Sequence, residues 1–236
     1  MFVLEPPIAA SIMVIAAHPD DIESWCAGTL ARAIDRGATV RLLLVTSGDN
    51  GSNNPADTSP VVAVRREREA WEAARVLGIA DVAFLRYPDG EVENTHALRG
   101  DLVTYLRRWR PAVVFTFDPE HSLPMYLSHH DHRAVGRATL DAVYPLARDR
   151  LAFPAHEAMS LQAHAVAVVW LFASATADRV VDIGEGFDRK VAARLAHASQ
   201  TVDASVLRVS WAERAAAIGA LVGIPLAEAF TVLHLD

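Results

Sequence analysis

The chain has 236 residues, with 22 Lys+Arg against 29 Asp+Glu, ten His, a single Cys and a formal charge of −7. One Cys rules out a disulfide framework and a Cys-based zinc module, and an acidic balance without a basic tract argues against nucleic-acid or anionic-membrane binding. At 52% apolar the sequence is globular, and its length suits one domain, residues 1–236, with enough core to fold without staples.

Residues 11–17 are a β-branched, apolar run and are predicted as the first strand. Residues 21–36 place Ile22, Trp25, Cys26, Leu30, Ala33 and Ile34 at helical spacing and stop at Gly37. Strand two covers 39–45, a Gly-, Asn- and Pro-rich loop 47–60, and a helix 61–77 that Gly78 closes. Strand three (81–85), a loop around Pro88-Asp89-Gly90, a helix over 95–109 and strand four (112–117) follow. A loop over 118–130 leads into a helix over 131–147. The remainder reads as strands at 165–172, 179–183 and 229–235 and helices at 186–197 and 209–222. Continuous apolar strands alternating with helices predict an α/β fold: a Rossmann-like, doubly wound, mostly parallel sheet with helices on both faces. The apolar stretches 8–17 and 163–177 are too short to span a bilayer and no basic leader precedes them, so the expectation is a soluble, cytoplasmic protein.

Ligands of open α/β sheets bind beyond the carboxyl ends of the strands, so the loops starting at His18, Ser47, Arg86 and Asp118 matter most. After strand one the chain reads His18-Pro19-Asp20-Asp21-Ile22-Glu23, where a dinucleotide-binding protein carries G-x-G-x-x-G. Phosphate cradling needs bare backbone without negative side chains, so a nucleotide site is not expected there. Asp20 or Asp21 alone would pass as an ordinary helix cap. Four of the ten histidines, however, fall between Glu120 and Arg133: His121, His129, His130 and His132, with Asp131 among them. Several imidazoles at one strand-to-helix junction are hard to explain as packing, because each is costly to bury unpaired.

Strands one and four flank the usual switch point of such a sheet, so the two clusters should meet. Together they supply His18, Asp21 and His132, a three-ligand zinc set with one position left open. Asp20 is then free to take a proton from water acidified by the metal. As an imidazolium, His129 could stabilise an oxyanion or protonate a leaving amine, with Asp131 holding it and favouring its charge. The sequence does not single out zinc; Fe2+ or another divalent ion suits the same ligands.

His18-Pro19-Asp20-Asp21-x-Glu23 and His129-x-Asp131-His132-Arg133 resemble the two signature motifs of the LmbE-like/PIG-L zinc deacetylases. Weaker matches are Arg66-x-x-Glu69, Asp89-Gly90, Lys190 through His197-Ala-Ser199-Gln200, and Glu228-Ala-Phe230. The resemblance implies zinc on His18, Asp21 and His132, Asp20 as general base, and His129 with Asp131 in the oxyanion-stabilising or acid role. It places Arg66, Asp89 and Tyr126 with the substrate. It further implies removal of an N-acetyl group from a glucosamine-containing small molecule, or cleavage of an amide in a thiol conjugate. The chain departs from the pattern at His130, where relatives often carry Pro, and at Gly48-Asp49, where many carry Gly-Glu. Three other readings compete. A non-catalytic metal-binding protein would lack the base, yet Asp20 is present. A serine hydrolase lacks its G-x-S-x-G elbow. A non-haem iron oxygenase does not call for the adjacent second Asp. Apart from an N-acylated small-molecule substrate, no partner is implied, and a homo-oligomer stays open.

Overall fold

The computed structural model describes residues 1–8, 10–120, 129–201 and 203–235. Among them, the apolar runs form one mixed sheet: β1 (Phe2–Val3), β2 (Ser11–Ala16), β3 (Thr39–Thr46), β4 (Asp81–Tyr87), β5 (Val113–Phe117), β6 (Val168–Phe172), β7 (Arg179–Asp182) and β8 (Ala227–His234). Their spatial order is β1-β7-β8-β6-β5-β2-β3-β4. The five strands from β6 to β4 run parallel, while β8 is antiparallel to both β6 and β7. The chain winds outward from β2 through β3 to β4, then returns to the other side of β2 with β5 and β6. That reversal between β2 and β5 is the switch point of a doubly wound sheet.

The helices are α1 (Asp21–Trp25), α2 (Ala27–Asp35), α3 (Ser59–Leu77), α4 (His96–Trp109), α5 (His130–Asp141), α6 (Ala155–Ala158), α7 (Phe187–Ala196) and α8 (Ala204–Ala220). α1, α2, α3, α7 and α8 pack with one another, and α4 packs with α5. These two groups are the covering layers that right-handed crossovers on either side of the switch point produce. Between them the central strands β2, β3, β5 and β6 are largely buried on both faces, so they read as apolar runs. Phe115 anchors the centre, its ring 5.2 Å from Trp170 and 5.7 Å from Phe230.

Several boundaries differ from the sequence expectation for identifiable reasons. The helix expected over 21–36 is two helices, broken at Cys26 (φ −141°). Both ends of the break are satisfied by residues far along the chain. Glu228 accepts from the backbone N–H groups of Gly28 (3.1 Å) and Thr29 (2.8 Å), placing an anion on the first turn of α2. Lys190 Nζ sits 3.5 Å from the Ser24 carbonyl at the end of α1 and 2.5 Å from Glu228 Oε1. The helix expected over 131–147 leaves α-geometry after Asp141, because Tyr144 precedes Pro145 and takes extended backbone angles. α8 begins at Ala204, five residues before the apolar pattern suggests, where the Asp203 carboxylate accepts from Ser205 and Val206 N–H.

Lys190 and Glu228 are 3% and 4% exposed, so removing one partner leaves the other charge buried alone. Glu228→Gln keeps the shape and removes the charge. It is expected to lower unfolding stability by about 3–5 kcal/mol, read as a fall in the urea midpoint at unchanged slope.

Candidate functional site

β2 and β5 are neighbours in the sheet, and the next helices after them are α1 and α5. The loop after β2 carries His18 and Asp20 into α1, whose first residue is Asp21. His129 is the N-cap of α5, with Asp131 and His132 in the first turn. Residues 114 positions apart are thereby brought into contact.

His18 Nδ1 stands 3.2 Å from His132 Nε2 and 3.5 Å from Asp21 Oδ2, and His132 Nε2 is 3.1 Å from Asp21 Oδ1. The His18 backbone N–H donates to Asp21 Oδ2 at 2.7 Å and closes the loop onto the helix. The other His18 nitrogen, Nε2, faces Asp89 Oδ1 at 3.0 Å and Asp131 Oδ2 at 3.3 Å. Two carboxylates at Nε2 would keep the ring proton there when Nδ1, directed at His132 and Asp21, gives its lone pair to a metal ion. The His132 ring stacks on Phe117, the last residue of β5, with centroids 3.9 Å apart.

Burial alone would discharge these groups, but their mutual contacts outweigh it. The neighbouring carboxylates of Asp21, Asp131 and Asp89 hold His18 well above an ordinary imidazole, against the burial that lowers it. The His132 and His18 rings hold Asp21 well below the usual carboxylate range, against the burial that raises it. Asp89 and Asp131, also burdened by burial, are likewise lowered by His18 and by the backbone N–H groups they accept.

This donor set fits a divalent cation. Donors bonded at about 2.0–2.1 Å around a tetrahedral ion stand about 3.3 Å from one another. His18 Nδ1 and His132 Nε2 are 3.2 Å apart, and Asp21 places Oδ2 3.5 Å from the first and Oδ1 3.1 Å from the second. His129 brings one more ring nitrogen within 4.8 Å of those of His18 and His132. His18 with Asp89 and Asp131 forms a second close group. The two oxygens of Asp131 already accept from the backbone N–H groups of Gly90 (2.8 Å) and Val92 (3.2 Å), so that group serves to aim His18.

Two expectations about α5 change. The Asp131 carboxylate is turned to His18 and the Asp89 loop, and its link to His129 runs through the main chain: Asp131 N–H donates to His129 Nδ1 at 3.1 Å. The second change concerns the charge on His129. Partial burial, and then charge on His18 and His132, push this imidazole below its ordinary value and outweigh the nearby Asp131. Its place at a helix N-terminus works in the same direction. With Nδ1 accepting, the proton of the neutral ring lies on Nε2, and His129 is a neutral N–H donor rather than an imidazolium.

Asp20 lies beside this cluster. Its Oδ1 accepts from Arg66 Nη2 at 2.7 Å, while Arg66 Nη1 donates to the Gly48 carbonyl at 2.8 Å. Arg66 belongs to a charged run on α3 that would ordinarily be solvated, yet it is 4% exposed. Gly48 has φ +65°, and a methyl group there would overlap the Arg66 guanidinium. Gly48→Ala is therefore expected to cost about 1–2 kcal/mol from backbone strain alone, and more from displacing Arg66. Thermal unfolding and metal content measured together check it: stability and turnover fall while bound metal stays.

Asp89 Oδ2 accepts from Asn50 N–H at 3.1 Å, tying the second-strand loop to the site. Beside this loop opens a polar cleft of about 470 Å³, lined by Asn50, Asn53, Arg65, Ser199 and Gln200 among others. His130 is exposed at the start of α5, while His121 and Tyr126 lie outside the described residues. Nothing in the sequence pattern singles out the Gly90 and Val92 amides that hold Asp131, since backbone donors carry no residue signature.

The sequence pattern of PIG-L, described as GlcNAc-PI de-N-acetylase, matches residues 13–143, a segment that contains both clusters. Diacetylchitobiose deacetylase of Thermococcus kodakarensis is 30% identical over 190 residues, covering 80% of this chain and 69% of that one. A probable N-acetyl-alpha-D-glucosaminyl L-malate deacetylase of Bacillus cereus is 29% identical over 195 residues, covering 80% of this chain and 83% of that one. The structure of N,N'-diacetylchitobiose deacetylase from Pyrococcus horikoshii with an inhibitor superposes with a TM-score of 0.89 at 26% identity, over 95% of this chain and 84% of that chain.

Proposed function

The chain belongs to the PIG-L family, and from that premise we propose that it is a metal-dependent hydrolase removing an N-acetyl group from a glucosamine-containing or closely related small molecule. The observation that carries this reading is the convergence of His18, Asp21 and His132 beside a carboxylate, Asp20, that takes no part in their contacts. In relatives named as deacetylases of N-acetylated sugars, the same length of chain is matched.

His18, Asp21 and His132 would hold the ion, and zinc suits two imidazoles and one carboxylate. A divalent ion supplies a Lewis acid that acidifies water and polarises the amide carbonyl. The remaining work falls to the chain. Asp20 accepts the proton of the water that adds to the acyl carbon, then returns it to the amine nitrogen as the C–N bond breaks, giving acetate and a free amine. His129, through Nε2–H, donates to the acyl oxygen as negative charge gathers on it, and being neutral it does so without losing a proton. Asp89 and Asp131 aim His18. Arg66 orients Asp20. The cleft beside Asn50, lined by hydroxyl and amide groups and by Arg65, suits a hydroxylated portion of the substrate.

The test is acetate release from a panel of N-acetylglucosaminides alongside larger amide conjugates, with the zinc-loaded protein. Acetate from the small glycosides supports the deacetylase. Cleavage of the conjugates alone moves the same chemistry to an amidase, and no cleavage of either class by metal-loaded protein refutes the hydrolase.

Among the described residues no helix is long and apolar enough to cross a membrane. We place the reaction in the cytoplasm, and secretion of the active protein would contradict that placement.

A further inference from the structure

α7 turns one face toward the segment that carries the site. Lys190 and Arg194, four positions apart, share a side of the helix, and His197 is its C-cap. All three reach α1 or the loop before it. Lys190 Nζ approaches the Ser24 carbonyl, Arg194 Nη2 lies 3.4 Å from Asp20 Oδ2, and His197 Nε2 lies 3.6 Å from Glu23 Oε2. Glu23 and His197 are fully buried, their atoms too far apart for a hydrogen bond, and Lys190 is paired with Glu228. Arg194 alone touches a group that reacts.

We propose that Arg194 is a positioning residue for Asp20; this rests on the deacetylase reading, in which Asp20 is the base. The reason is rotational. The terminal torsion of an aspartate is broad, so one contact on one oxygen leaves the carboxylate free to turn. Arg66, from α3, donates to Oδ1 at 2.7 Å, and Arg194, from α7, sets its positive charge 3.4 Å from Oδ2. A hydrogen bond on one oxygen and an ion pair on the other, from two helices, bias the carboxylate plane and with it the direction of the lone pair that must meet the water proton. Arg194 is itself held. Its Nη1 donates to Thr201 Oγ1 at 3.1 Å and its Nη2 to the Gln200 carbonyl at 2.9 Å, and its side chain is 12% exposed. The guanidinium therefore cannot swing away to solvent.

Arg194→Met is expected to lower kcat about tenfold to a hundredfold, with KM, metal content and melting temperature close to wild type. Arg194→Lys, which can still place a cation near Oδ2, should recover much of the loss. Thr201→Val removes one of the two anchors of Arg194 and leaves the Gln200 carbonyl holding Nη2, so it should lower kcat by clearly less than Arg194→Met does. A crystal structure of metal-loaded Arg194→Met should show the Asp20 carboxylate rotated. Wild-type kcat in Arg194→Met, a loss that follows metal content or melting temperature, an equal loss in Thr201→Val, or an unmoved Asp20 would each overturn the proposal. If wild-type protein in the same assay releases no acetate, the deacetylase reading fails first and the role of Arg194 falls with it.

Discussion

Asp20→Asn should yield a folded, metal-loaded protein whose kcat is lower by about 10²–10⁴-fold, the range over which a positioned general base contributes. The substitution is nearly isosteric and the amide oxygen can still accept from Arg66, although the amide nitrogen then replaces the oxygen that pairs with Arg194. What disappears is proton affinity. A neutral amide cannot take the proton of the attacking water or hand it to the departing amine, so both halves of the reaction suffer. KM should change little, because Asp20 is asked to act in the transition state rather than in binding. Metal analysis on the same sample decides what the loss means. Full occupancy with lost turnover fits a base, whereas loss of metal would make Asp20 a ligand. Near-normal turnover would leave the mechanism without its proton acceptor.

The second large effect concerns the ligands. Asp21→Asn preserves volume and can still accept the His18 backbone N–H. It removes the one negative charge among the three convergent donors. Even substitutions of residues that only orient metal ligands cost about 10–100-fold in metal affinity. Loss of a ligand charge should therefore exceed a hundredfold. Because metal that binds only the folded state stabilises it by mass action, about 2.7 kcal/mol at a hundred times Kd, wild-type protein should melt higher when the metal is added. Asp21→Asn should show little of that rise at the same metal concentration. His132→Ala should behave likewise, with an added cost in packing where its ring leaves Phe117. An undiminished melting shift in both variants would require another ligand set, and His129 is the nearest candidate.

What local pattern can reveal is clear from particular residues. The parallel half of the sheet is readable because strands buried on both faces must be continuously apolar. His18, Asp21, His129 and His132 stand out because polar, ligand-type residues gather where such strands end. Direction is not encoded that way, so nothing in residues 229–235 announces that β8 runs antiparallel. The break at Cys26 is invisible for a similar reason: helical periodicity continues across it, while its stabilising partners, Lys190 and Glu228, lie far along the chain. Arg66 and Arg194 illustrate the same limit at the site. Each sits on a helix among other charges, and only the packing of α3 and α7 against the first loop turns them inward to Asp20. The motif around His129 named Asp131 as its partner, but spacing cannot tell a side-chain contact from the backbone N–H that makes it.

The most direct single measurement is acetate release from an N-acetylglucosaminide against metal content, as protein stripped by a chelator is titrated with Zn2+ and, separately, Fe2+. If His18, Asp21 and His132 form a hydrolytic metal centre, release is absent in the stripped protein. It should then rise in proportion to bound metal and level off at one ion per chain. Release that persists at full strength without metal, or that stays absent at one ion per chain across the glycosides and conjugates alike, would contradict a metal-dependent hydrolase.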